Sequence, residues 1–307
     1  MCILHIYWTE QVLQLIASHD AATPLFLYVA TQDMHGPNQC LEEFMTQYPH
    51  TPGAGAPGNT PKPGVDNYAV YNGMGYAADQ LFGNMTKALK AKAMYNDTLI
   101  VLTSDNGGPA ATIVSGHAGN NWPHRGGKQT NFEGGVRVPA FVGGGFLPAK
   151  ARGRTLTGFI HAADWFPTFC LLAGGVDCHE AKSPAVLKGA VPGVDGYNMW
   201  SYIAGDAEVS PRTEIMLDSQ CYPAGSCVNG SAGQKSPCDP AHMCIGAIIS
   251  GGFKLVLGMQ KYGFWMGPRY PNASTDHSSE RPFDCGAGCL FDIVNDPVSS
   301  RLLRSGP

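Results

Sequence analysis

Thr98-Leu-Ile-Val-Leu-Thr-Ser-Asp-Asn-Gly-Gly108 decides the reading of the fold. Residues 99–102 are a continuous run of aliphatic and β-branched side chains, too short for a helix and without the alternation of a half-exposed strand, so they predict a buried, central parallel strand. Ligands of open α/β sheets gather where such strands end. Asp105 and Asn106 stand at that end and offer the oxygen donors that calcium or magnesium takes. Gly107 and Gly108 then keep side chains away from a bulky anion. The plainer alternative is a turn in which the Asp carboxylate bonds its own backbone.

Two downstream blocks weigh the choice. Gly119-Asn-Asn-Trp-Pro-His-Arg-Gly-Gly-Lys128 and Phe132-Glu-Gly-Gly-Val-Arg137 follow Ser104-Asp-Asn-Gly-Gly108 in order and with short spacers. Together these blocks resemble the sulfatase family of the alkaline phosphatase superfamily, and within it the arylsulfatase B group. Further matches lie at Pro24-Leu-Phe-Leu-Tyr28 with Met34-His35, Asp164-Trp-Phe-Pro-Thr168, Val194-Asp-Gly-Tyr197 with Trp200, and Cys289-Leu-Phe-Asp-Ile-Val-Asn-Asp-Pro297. The resemblance covers nearly the whole chain.

The sequence also departs from the family. Sulfatases convert a Cys in a Cys-x-Pro-x-Arg-like motif to the formylglycine nucleophile, and none of the ten cysteines here is followed by that pattern. The family's pair of adjacent aspartates on its first strand, and the Lys and His that follow the nucleophile, have no counterpart. Met1 is therefore expected to be an internal methionine of a longer protein.

Composition agrees with a loop-rich enzyme. The 307 residues suffice for a large α/β domain and a small one. Charged residues make up 14%, against a usual figure of about 25%, and 39 Gly with 23 Pro call for many loops. A net charge of -4 without runs of Lys or Arg points away from nucleic acid and from anionic membrane surfaces. No stretch reaches the roughly 20 apolar residues of a membrane span. Six of the ten cysteines fall between Cys221 and Cys289 without the Cys-x-x-Cys spacing of a zinc site, which predicts disulfides in an oxidising compartment. Acceptor motifs for N-glycosylation at Asn84, Asn96, Asn229 and Asn272 agree. The start of the chain lacks a cleavable signal. The expected location of a full-length form is lysosomal or secreted.

Along the chain, residues 10–18 read as the end of a helix, 25–30 as a strand with His35 just beyond it, and 51–64 as a surface loop. Tyr71, Met74, Ala78, Leu81, Met85 and Leu89 recur at helical steps, so residues 66–93 predict an amphipathic helix that returns the chain to the Asp105 strand. That is a strand, helix, strand crossover. Residues 138–142 form the next strand. Asp164 caps a helix with Pro167 in its first turn. Residues 214–217, 245–250 and 253–257 are short strands. The expected architecture is an α/β/α sandwich of the sulfatase and alkaline phosphatase type, present in part over residues 1–205, with a small antiparallel subdomain over 206–307.

The resemblance assigns roles. Asp105 and Asn106 bind a calcium ion, Lys128 neutralises the sulfate, and His35 contacts it or protonates the departing alcohol. Arg125, Glu133 and Arg137 fix the loop and strand by ion pairing, while His117, His124 and His161 are structural or rim residues. Trp122 either stacks on a sugar or fills the core of its loop, and the second reading is the expected one. The implied reaction is hydrolysis of a sulfate ester, with a glycosaminoglycan as a candidate substrate. As given, the chain lacks a nucleophile and is expected to be inactive alone. The alternative is a non-catalytic protein that binds sulfated glycans. A phosphodiesterase of the same superfamily is a third option, opposed by the 119–128 block.

Overall fold

The computed structural model describes residues 2–45, 67–109, 119–174, 194–222, 243–265 and 283–305. The expectations for the 51–64 loop, His117, Asn229 and Asn272 lie outside them.

Helix α1 spans Cys2–Ser18 and α3 spans Asn67–Ala91, with the single-turn α2 at Glu42–Met45 between them. Helix α3 buries Val70, Met74, Ala77, Leu81 and Leu89; Met74, Leu81 and Leu89 belong to the stripe predicted from its spacing, whereas Tyr71, Ala78 and Met85 are half-buried at its edge. Leu89 packs with Val12 and Ile16 of α1. The two helices are also joined at their ends. Lys92 Nζ donates to the carbonyls of Ala17 at 2.8 Å and His19 at 2.6 Å, which places a cation against the negative terminus of α1.

Strand β1, Ile100–Thr103, pairs with β2, Ala140–Gly143. The pairing is antiparallel, Ile100 opposite Gly143 and Thr103 opposite Ala140, so the predicted parallel strand is corrected here. Residues 100–102 are half-buried rather than enclosed. Residues 25–30 join no sheet, which removes the predicted crossover. Their side chains nonetheless alternate: Leu27 and Val29 pack with Ile100 and the α1–α3 core, while Phe26 and Tyr28 face outward. The apolar pattern identified a strand-like conformation, whereas the ladder depends on a neighbour that pattern does not specify.

After β2, Leu147, Ala151, Met199 and Ile203 form a second core with Val142, Trp165 and Trp200. Helix α5, Trp165–Gly174, is entered through a single 3-10 turn, Ala162–Asp164. Here a second expectation is corrected. His161 holds the capping position, with Nδ1 accepting from Ala163 N, and the buried Asp164 reaches back to His161 N at 2.7 Å. Asp164 also accepts from Tyr197 N and pairs with Arg212 at 2.6 Å, a bond that raises the Arg212 pKa further.

The rest is antiparallel. Strands β3 (Glu214–Tyr222), β4 (Met243–Ser250), β5 (Phe253–Leu257), β8 (Cys289–Asp292) and β9 (Arg304–Ser305) form one five-stranded sheet in that order. Strands β6 (Met259–Gln260) and β7 (Phe283–Asp284) form a small separate ladder. Strands β4 and β5 meet at a Gly251-Gly252 hairpin, where Gly251 adopts φ +56°. A disulfide joins Cys285 to Cys289, and Cys170 is also disulfide-bonded.

Candidate active site

The three sequence blocks meet at the end of β1. Ser104 N donates to Pro139 O at 3.2 Å, and Gly107 N donates to Gly135 O at 2.9 Å. A Cβ on Gly107 would lie 1.7 Å from Gly134 O, so no other residue fits. This revises the expected role of Gly107: the space serves a neighbouring backbone rather than an anion. Gly134 and Gly135 belong to the one-turn helix α4, Glu133–Val136, and are equally pressed, against carbonyls of Gly126 and of Thr130.

Asn121 joins the next block. Its Oδ1 accepts from Gly108 N at 2.9 Å, while Nδ2 donates to Gly108 O at 2.7 Å and to Gly126 O at 3.1 Å. Gly108 O also accepts from Lys128 N at 2.9 Å. The Asp105–Asn106 turn and the lysine loop are therefore one hydrogen-bonded unit. Lys128 sits at the second position of the Gly127–Thr130 turn, closed by Thr130 N on Gly127 O at 3.0 Å, with Gln129 at φ +71°. Thr130 Oγ1 donates to the same carbonyl at 2.8 Å. Among the described residues the half-buried Lys128 has no side-chain hydrogen bond or ion pair.

Asp105 is exposed, and its Oδ1 accepts from Asn106 N at 2.7 Å, so the turn interaction of the plainer reading is present through that oxygen. Asn106 Nδ2 donates to Gly107 O at 3.1 Å, which turns the amide nitrogen inward. The donor type suits a hard cation. The number falls short of the six to eight oxygens calcium takes, and among the described residues no group of three or more His, Cys, Asp or Glu converges.

His35 belongs to a different loop. It is exposed, follows Met34 at φ +63°, and its Nδ1 lies 2.9 Å from Gly36 O. Asp105, Asn106 and Lys128 are thus brought into one unit by backbone bonds, and His35 is placed separately on the segment that follows residues 24–30.

Arg125 and Glu133 anchor the loop, by unequal means. Arg125, 5% exposed, donates Nε to Gly263 O at 2.7 Å and lies over Phe283, Trp265 and Phe132, 3.7, 4.3 and 4.5 Å from the ring centroids. Glu133 does form an ion pair, with Lys254 Nζ at 2.6 Å, and both are buried. Arg137 is exposed, and its N–H closes α4 on Glu133 O. His124 Nδ1 lies 3.2 Å from Pro297 O. Trp122 corrects the expectation that it fills its loop: the indole is 55% exposed, because the Asn121 amide occupies the loop's centre.

Sequence reading missed Asn121, Lys254 and Gln260. Asn121 lay within a quoted block but carried no charge to mark it. Lys254 had a signal. It shares the inward parity of Val256 along β5, so an alternating strand already placed a lysine in the core.

Helices packed beside antiparallel strands, with the Asp105–Asn106 turn and the Lys128 loop joined at the end of β1, make up a mixed α/β fold. A family model described as Sulfatase matches residues 6–176, more than half of the chain. The chain belongs to the sulfatase family. It is 29% identical over 311 residues to arylsulfatase J of Mus musculus, covering 97% of this chain and 45% of that protein. To N-acetylgalactosamine-6-sulfatase of Mus musculus it is 29% identical over 138 residues, 44% of this chain and 22% of that one. The crystal structure of Ps i-CgsB in complex with k-i-k-neocarrahexaose shares the fold with a TM-score of 0.63 at 23% identity, over 97% of this chain and 50% of that chain. The chain spans half the length of these relatives or less.

Proposed function

We propose that this chain carries the sulfate-holding part of a sulfate-ester hydrolase that acts on sulfated sugars, glycosaminoglycans among them. The observation that carries the reading is the Gly108 peptide, which ties the Asp105–Asn106 turn to the backbone of Lys128. Such a unit holds a cation and an anion side by side. Asp105 and Asn106 would hold calcium together with oxygens from elsewhere, and a calcium ion supplies charge stabilisation to a bound sulfate. Lys128 neutralises the sulfate oxygens, without a competing acceptor among the described residues. His35 directs Nδ1–H at Gly36 O and, as the imidazolium, would give its Nε2 proton to the leaving alcohol and remain as the neutral ring. The sugar preference is supported by relatives named for sulfated amino sugars. The Cys285–Cys289 disulfide favours a lysosomal or secreted setting, and the exposed Asn96 suits a glycan. Residues 1–205 form the catalytic part and 206–307 the smaller subdomain.

A second reading is a binder of sulfated glycans without turnover, supported by the same pairing of an oxygen-donor turn with the Lys128 loop. Calorimetric titration with calcium chloride, then with galactose 4-sulfate, tests both. The wild-type chain is expected to bind each, Asp105→Ala to lose calcium, and Lys128→Ala to keep calcium while losing the sulfated sugar. Calcium binding that survives Asp105→Ala unchanged would sink the site. Hydrolysis of 4-nitrocatechol sulfate by the purified chain would eliminate the binder.

A further inference from the structure

The lysine loop is held from both ends by the C-terminal part of the chain, through β5, β6 and the segment that follows β6. Ahead of Lys128, Gly126 N donates to Phe264 O at 2.9 Å and Arg125 Nε to Gly263 O at 2.7 Å. Behind it, Asn131 N donates to Gln260 Oε1 at 2.9 Å, and Asn131 O accepts from Lys254 Nζ at 2.7 Å. The same ammonium meets Glu133 Oε1 at 2.6 Å. Lys254 is fully buried, opposite Phe291 in the β5–β8 register, where an apolar residue would cost nothing in desolvation. Its charge reaches two residues, Asn131 and Glu133, that directly follow the Gly127–Thr130 turn.

We propose that Lys254 is a positioning residue: through Asn131 O and Glu133 it fixes the turn that presents Lys128, so the C-terminal sheet sets the sulfate affinity of a site to which it contributes no ligand. This deepens the sulfate-ester reading and rests on it for the identity of the anion. Burial pushes the Lys254 ammonium below the ordinary lysine range and Glu133 draws it partly back, as expected for a charge kept in the core by its partner.

The experiment uses the full 307-residue chain. Lys254→Met alone strands Glu133 and can unfold the protein, so the working variant is Lys254→Met/Glu133→Gln, which removes both charges and keeps both volumes. Amide hydrogen exchange at residues 127–131 is expected to accelerate about tenfold or more, the scale of one lost charge-assisted hydrogen bond, at an unchanged melting temperature. Affinity for inorganic sulfate is expected to fall by a similar factor, and the loss to vanish in a Lys128→Ala background, which a merely structural role would not produce. Unchanged exchange at 127–131 in the folded variant overturns the positioning role. Faster exchange in a protein whose wild type binds no sulfate overturns the sulfate reading and leaves the mechanical coupling standing.

Discussion

Two apolar faces of this molecule use the same alternation and end differently. In the C-terminal sheet, Val256, Phe291 and Ile249 turn inward onto Phe132 of the lysine loop and are buried. In residues 25–29, Leu25, Leu27 and Val29 are half-buried against the helices, but the opposite parity remains in water, with Phe26 76% and Tyr28 82% exposed. Phe141 on β2 is likewise exposed. A period of two therefore specifies which side chains share a face, not whether anything covers it. The covered face does more than stabilise: Phe132, Phe283 and Trp265 form the box around Arg125, so the site loop and the C-terminal core are one packing unit.

The largest expected effect lies on the covered face. Phe291 touches Phe132 at 5.6 Å and Phe283 at 6.5 Å between centroids, and Phe291→Ala leaves a cavity at their junction. Urea unfolding is expected to show a loss of about 3–5 kcal/mol. A loss below about 1 kcal/mol would mean that the sheet is not a packed core. The same measurement on Tyr28→Ser should move stability within about ±0.5 kcal/mol, while reducing binding of a hydrophobic dye. If Tyr28→Ser destabilised as much as Phe291→Ala, the two faces would not differ.

Legibility in the sequence followed the range of the interactions. Helix α3 was readable because its periodicity is local, though its buried stripe is shifted to include Val70 and Ala77, and the grouping of Asp105 with the 119–128 block was implied by the family resemblance. The direction of β1 was not readable, since parallel and antiparallel neighbours bury the same Ile-Val-Leu run. Trp122 was misplaced for a related reason: a bulky aromatic in a glycine-rich loop reads as filler, yet the Asn121 amide satisfies three backbone groups and leaves it no room. The partner of Glu133 was hidden by distance, 121 residues away at Lys254.

The smallest expected effect tests the far side of the covered face, in the turn after β8 that supports the lysine loop. There Pro297 O faces His124 Nδ1, and Ser299 O accepts from Arg125 Nη1 at 3.4 Å. The turn is tied by two carboxylates. Asp292 Oδ2 accepts from Asn295 Nδ2 at 2.8 Å and Oδ1 from Asn295 N at 2.9 Å, bonds that hold its pKa below the ordinary value. For Asp296, partial burial pushes upward, yet the N–H of Arg301 at 2.6 Å and the Ser300 groups outweigh it, and the pKa is again lowered. A carboxylate whose folded pKa is depressed contributes stability that is present above its unfolded value, about 3.9, and is lost as pH falls through the folded value. Carbon-detected NMR titration should therefore place both carboxyls below the ordinary aspartate range. Amide exchange at residues 297–299, corrected for its intrinsic pH dependence, should rise only as the pH drops beneath 3.9, and Asp296→Asn should remove much of that rise. Ordinary values for both would mean that these bonds do not hold in solution, and that the two carboxylates add nothing to the support of the loop.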